Sequence, residues 1–154
     1  ISTFGVSHDA ADTVGFTLAQ NGSAADTRRT LGYVTDLGIV TDPVRNALRK
    51  IDALVLEANH DLHMLRNGPY PLHLKRRIQG TYGHLSNEQA AEMIAEVVRQ
   101  TAVRSVTLAH LSEKNNDPAL AVDDITQHVY EKTSREISLT PAPQDRPAKP
   151  VVLQ

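Results

Sequence analysis

Four short apolar runs in this chain each end on a side chain that can hold a metal ion or carry a proton, and this repetition constrains the fold more than any other feature. Leu31-Gly32-Tyr33-Val34-Thr35 delivers Asp36, and Gly38, two residues on, gives the backbone freedom to turn sharply away, so Asp36 is expected to be presented rather than buried. Phe4-Gly5-Val6-Ser7 leads to His8, Ala53-Leu54-Val55-Leu56 to Glu57, and Ser105-Val106-Thr107-Leu108-Ala109 to His110. Sites in α/β sheets gather outside the carboxyl ends of strands, so four such ends with oxygen or nitrogen donors point to one shared pocket. The competing reading is four ordinary polar loop residues.

The other elements fit around these strands. Thr3 to Ser7 and Val14 to Leu18 read as strands, Asn21-Gly22 as a hairpin turn, and Leu31 to Thr35 as the third strand. Thr41-Asp42-Pro43 starts a helix over Val44 to Ile51, with Val44, Leu48 and Ile51 on one face. Short helices follow over Asp61 to Arg66 and Leu72 to Ile78, the first stopped by Asn67-Gly68-Pro69. Ser86 and Gln89 form a capping box for a helix to about Arg99, with Ala90, Met93, Ile94 and Val97 as its core stripe. A last helix runs from Pro118 to about Glu131, and Ile137 to Leu139 and Val151 to Leu153 read as final strands around a Pro-rich connection.

Composition narrows the chemistry. With 154 residues the chain suits one domain with a real core, and a net charge of −2 argues against a general nucleic-acid coat while leaving room for a local basic track. Having no cysteine, it has no disulfides, thiolate nucleophile or Cys-ligated zinc, so any metal rests on His, Asp and Glu. No apolar run is long enough to span a membrane and no signal peptide is visible, so a cytoplasmic protein without a membrane partner is expected, although Ile1 in place of Met leaves the true N-terminus open.

A His, Asp, His set with a nearby Glu suits zinc or manganese, and two such ions can activate water against a phosphodiester. Three good ligands cannot hold two ions firmly, so the chain is short of donors for a complete binuclear site. Consecutive Ser7, His8 and Asp9 cannot form a serine triad, because neighbours on a strand point to opposite faces. His84 lies just before a helix N-terminus, where a phosphate could rest or where it is merely an exposed residue before the cap. Lys75-Arg76-Arg77 is either a phosphate contact or a solvated helix face, and His60 and His63 read as packing or surface histidines.

Val6-Ser7-His8-Asp9-Ala10, Val34-Thr35-Asp36-Leu37-Gly38, Leu56-Glu57-Ala58-Asn59-His60-Asp61, Gly83-His84-Leu85-Ser86-Asn87 and Ala109-His110-Leu111-Ser112, in that order, resemble the metallo-β-lactamase superfamily. The resemblance is nearest to its YycJ-type branch, relatives of ribonuclease Z. It implies an α+β fold, the C-terminal half of a four-layer αβ/βα sandwich, and a metal-dependent hydrolase of phosphodiester bonds, a 5′-to-3′ DNA exonuclease in repair. It further implies that His8, Asp36 and His110 hold two divalent ions, zinc or manganese, with Asp36 bridging. Glu57 and His84 would be the catalytic pair, and Ser86 and Asn87 substrate-binding. Leu56 stands where ribonuclease Z has a histidine, which argues against transfer-RNA processing.

The His-x-His-x-Asp-His motif of that family is absent from the sequence. The expected partners are therefore a missing N-terminal half and a nucleic acid, DNA by the resemblance, and the chain alone is expected to be nearly inactive. Without its other half it would expose an apolar sheet face. The alternatives are a metal-free binding or scaffold protein on the same fold, and a binuclear hydrolase of a thioester or a cyclic phosphodiester.

Overall fold

The structure, a computed structural model, describes residues 1–20, 28–148 and 150. Six strands form one sheet in chain order: β1 (Ser2–Gly5), β2 (Val14–Gln20), β3 (Arg29–Val34), β4 (Ala53–Glu57), β5 (Ser105–Ala109) and β6 (Ser138–Pro141). β2 is antiparallel to both β1 and β3, while β3 to β6 are mutually parallel. β1, β3, β4 and β5 therefore run the same way, and the segments carrying His8, Asp36, Glu57 and His110 leave the sheet at one edge.

Side-chain alternation decides which face is covered. In register, Gly32, Leu54 and Val106 lie side by side, as do Val34, Leu56 and Leu108, and all six are buried. They meet α1 (Asp42–Ala47), α4 (Asn87–Gln100) and α5 (Pro118–Thr133) through Val44, Leu48, Ile94, Val98, Ile125 and Val129. Gly32 makes room for this packing, since a Cβ there would stand 2.5 Å from Leu48 Cδ2. The other face carries Phe16 opposite Tyr33 and Leu18 opposite Leu31, with Leu18 and Tyr33 exposed.

Helix limits follow local chemistry. The capping box at α4 forms as read, with Ser86 Oγ accepting from Gln89 N–H and Gln89 Oε1 accepting from Ser86 N–H. α1 stops at Ala47 and not Ile51, yet Leu48 and Ile51 still enter the core from the following turn. Between α1 and α4 lie α2 (Leu62–Asn67), with Asp61 as its cap, and α3 (Leu72–Ile78). The hairpin signal at Asn21-Gly22 and the strand expected at Val151 to Leu153 lie outside the described residues. Among those described, no helix is long and apolar enough to cross a membrane.

His60 and His63 part company. His63 is exposed, whereas His60 is 1% exposed and neither ring nitrogen has a hydrogen-bond partner among the described residues. Its backbone explains the placement, because His60 C=O accepts from Asn87 N–H and the next residue donates to Asn115 C=O, which locks the segment between two others. Burial disfavours the charged ring and pushes its pKa from 6.5 down to about 4. The unfolded chain then takes up the proton first, so stability is lost as pH falls from about 6.5 toward about 4. The urea midpoint of the metal-free protein is expected to fall across that window, by a contribution of up to about 3 kcal/mol, with a shallower fall in His60→Phe. An equal slope in the variant would refute the assignment.

Candidate metal centre

The edge where β1, β3, β4 and β5 end gathers the expected residues. After β3 the chain turns at Asp36, whose φ of 59° lies in the left-handed region, and after β5 it does the same at His110, with φ of 55°. Non-glycine residues seldom adopt that conformation, and where they do the surroundings hold them in it. Gly38 has no positive φ, which corrects the expectation that it supplies the turn. Its role is close approach: a Cβ would stand 2.4 Å from Gly80 O and 2.5 Å from Gly83 N. Gly38 N–H also donates to Ser7 C=O at 2.8 Å, so the Asp36 turn is fastened to both the His8 segment and the loop before α4.

Asp36 Oδ1 stands 3.9 Å from His8 Nε2 and 3.5 Å from His110 Nδ1. Its second oxygen accepts from Thr35 Oγ1 at 2.8 Å. His8 Nδ1 lies 3.0 Å from Gly83 C=O, a partner that can only accept, so Nδ1 carries the proton and Nε2 keeps its lone pair on the Asp36 side. Asp36 is partly exposed, as expected of a presented carboxylate.

Glu57 is fully buried at the end of β4. Its Oε2 accepts from Leu37 N–H at 3.1 Å, and its Oε1 lies 2.7 Å from His84 Nδ1 and 3.5 Å from His110 Nδ1. The His84 contact is an ion-pair distance with poor hydrogen-bond alignment. Burial works to raise the Glu57 pKa, but the imidazoles of His110 and His84 and the Leu37 N–H outweigh it and hold the carboxyl below its usual value. The same contact with Glu57 raises the pKa of His110 against burial. His84 sits between the other two imidazoles, with ring centroids 4.9 Å from both His8 and His110.

All five residues expected to act as ligands or proton carriers thus meet. Two groups have donor atoms within 4.8 Å of one another, His8 with Asp36 and His84, and Glu57 with His84 and His110. Imidazole nitrogen with carboxylate oxygen, and a lone pair set free on His8, fit a borderline divalent cation. Beside them opens a cavity of about 590 Å3, lined by His8, His84 and His110 and by Tyr70, Arg77 and Lys114.

Ser86 and Asn87 stand apart from this group and do not line the cavity. Both are buried. Ser86 is occupied with the α4 cap, and Asn87 exchanges hydrogen bonds with Asn116, whose amide also donates to Ala58 C=O. They hold the backbone behind the site and are not among the residues lining the cavity, where the resemblance made them substrate-binding. Sequence reasoning gave Asn59 no role, yet its amide donates to the carbonyl of left-handed His110 at 2.9 Å and its own carbonyl accepts from Ser112 N–H. The Arg77 to Asp9 pair, with Nε 2.5 Å from Oδ2, was likewise missed. Its hydrogen bond holds the Asp9 carboxyl below the usual range. Only chain separation hid it, since the partners are 68 positions apart in the chain.

Residues 1–111 match the β-lactamase superfamily domain. Over 132 residues the chain is 39% identical to a protein of Bacillus anthracis named exodeoxyribonuclease YycJ, an alignment covering 86% of this chain and 47% of that protein. Over 122 residues it is 38% identical to the exodeoxyribonuclease WalJ of Streptococcus pneumoniae, covering 79% and 42%. The chain spans less than half the length of these curated relatives.

The packing at Gly38 has a measurable consequence. Gly38→Ala sets a methyl group against backbone atoms that cannot swing aside, and is expected to cost about 1–3 kcal/mol in chemical denaturation. Gly5→Ala, where a Cβ meets nothing within 4 Å, serves as the control and should change stability by less than about 0.5 kcal/mol. Equal effects at the two positions would contradict the docking role.

Proposed function

The chain belongs to the metallo-β-lactamase superfamily, and from that membership we propose that it is the C-terminal half of one αβ/βα domain whose complete protein is a metal-dependent DNA exonuclease working 5′ to 3′. The observation that carries this reading is Asp36 Oδ1 standing between His8 and His110 beside the buried Glu57 and His84 pair. The names of the relatives, both exodeoxyribonucleases, support DNA as the substrate. A cytoplasmic setting goes with that substrate.

His8, Asp36 and His110 are the residues that would hold two divalent ions, zinc or manganese, with Asp36 shared. Such ions acidify water and draw charge from a phosphodiester. Glu57 Oε1 faces His84 Nδ1 and orients the ring, which makes His84 Nε2 the atom that would pass a proton to the departing oxygen. The lack of solvent around Glu57 strengthens this coupling.

Two further observations support a half-domain. Three ligands are too few for two ions, and no His-x-His-x-Asp-His motif occurs in the sequence. The sheet face bearing Val14, Leu18 and Tyr33 is 38–40% exposed at those residues and has no helix over it among the described residues, as expected of a surface that another layer covers. The remaining relatives' length is where the missing ligands and cover would lie.

In the full-length protein, Asp36→Ala and His110→Ala are expected to lose both bound metal and nuclease activity. His84→Ala should keep its metal and lose about 10²–10⁴ in kcat. Metal analysis with cleavage assays on a linear duplex reads both, and chelation should abolish cleavage. Full metal and activity in Asp36→Ala would overturn the reading. Metal lost in His84→Ala would make that imidazole a ligand, and a metal-loaded wild type that spares DNA but cleaves a thioester or cyclic phosphodiester would move the substrate.

A further inference from the structure

Resting on the nuclease reading above, we propose that Arg77 is the phosphate-recognition residue of this site, taking a strand phosphate other than the one being cut and giving up Asp9 to do so. Of the consecutive cations Lys75, Arg76 and Arg77, the first is committed elsewhere, since its Nζ donates to the carbonyls of Arg66 and Gly68 and so joins α2 to α3. Arg76 does not line the cavity that His8, His84 and His110 share, and Arg77 does. The basic run therefore resolves to one guanidinium at the site.

Its position is set by the site itself. Arg77 Nε donates to Asp9 Oδ2 at 2.5 Å, and Asp9 Oδ1 lies 3.6 Å from His8 Nε2, so a single carboxylate separates the guanidinium from the proposed metal ligand. The chain following α3 is fastened to the His8 segment by Ser7 Oγ donating to Thr81 C=O, His8 Nδ1 to Gly83 C=O and Asp9 N–H to Tyr82 C=O. These bonds hold the C-terminal end of α3, which carries Arg77, beside the His8 segment.

Asp9 is a weak occupant. The Arg77 side chain is 67% exposed and that of Asp9 31%, and water screens an ion pair so open to it. A phosphate accepts two parallel N–H donors from one guanidinium and carries charge on several oxygens, so it competes well for the same group. The Nη groups of Arg77 make no hydrogen bond among the described residues, which leaves them for the ligand.

The test uses the full-length protein and single-stranded oligonucleotides bearing either a 5′-phosphate or a 5′-hydroxyl, with binding followed by fluorescence anisotropy in chelator and cleavage followed with metal. Arg77→Gln is expected to weaken binding about tenfold and to lower the slope of log affinity against log salt by about one, while Arg77→Lys keeps the slope. A loss confined to the 5′-phosphorylated strand assigns Arg77 to a terminal phosphate, and an equal loss on both strands assigns it to a backbone phosphate. Arg77→Gln matching an active wild type in affinity and salt slope overturns this inference alone. A metal-loaded wild type that neither binds nor cuts any oligonucleotide overturns the nuclease reading and this inference with it.

Discussion

The buried carboxylate of Glu57 organises the whole edge of the sheet. Removing a carboxylate from water costs several kcal/mol unless its oxygens find charge or donors, and Glu57 draws its compensation from three separate segments. Leu37 N–H belongs to the turn that presents Asp36, His84 to the loop before α4, and His110 to the turn after β5. Satisfying one buried charge thus brings together residues spread over half the chain. A hydrophobic replacement of similar shape could fill the same space and would leave those three loops with no common anchor.

Sheet geometry explains why these turns need such an anchor. β3, β4 and β5 are parallel and in register, so Asp36, Glu57 and His110 leave the sheet at nearly the same level. A carboxylate and an imidazole can then meet only if the backbone reverses at once, and both Asp36 and His110 do so in the left-handed region. That conformation costs about 1–2 kcal/mol for a residue with a Cβ. It is offset by local bonds made to the turns themselves: Asn59 holds the His110 carbonyl, and Ser7 accepts from Gly38 just beyond Asp36.

The strands, the long helices and the site's core residues were legible because their signals are local. The unbroken apolar run from Ala53 to Leu56, the Ser86 and Gln89 cap, and Pro118 opening α5 need only a few neighbours to be read. Asp36, Glu57, His84, His8 and His110 could be picked out because each ends a short run or precedes a cap. What stayed hidden depends on distant partners. Gly38 looks like a turn residue until the backbone at Gly80 and Gly83 is seen against it. Asn87 looks like a polar residue near a helix N-terminus until Asn116, 29 residues away, takes both ends of its amide. His60 carries no sequence mark of its burial, which comes from backbone bonds on either side of it.

Two shortfalls of different physical origin meet in the proposal of a half-domain. Coordination counts donors, and His8, Asp36 and His110 are too few for two ions. Packing counts area, and the sheet has helices over one face while Phe16, Tyr33, Leu18 and Leu31 occupy the other. Nothing in coordination chemistry requires an apolar surface to be left open, and nothing in packing requires a ligand to be lacking. A second layer laid on that face would answer both at once, because the edge where β3 to β5 end borders both the open face and the donor cluster. The same layer would cover the proposed ligand atoms, lowering the local dielectric and strengthening the coupling between Glu57 and His84. Completing the fold and completing the chemistry then become a single event.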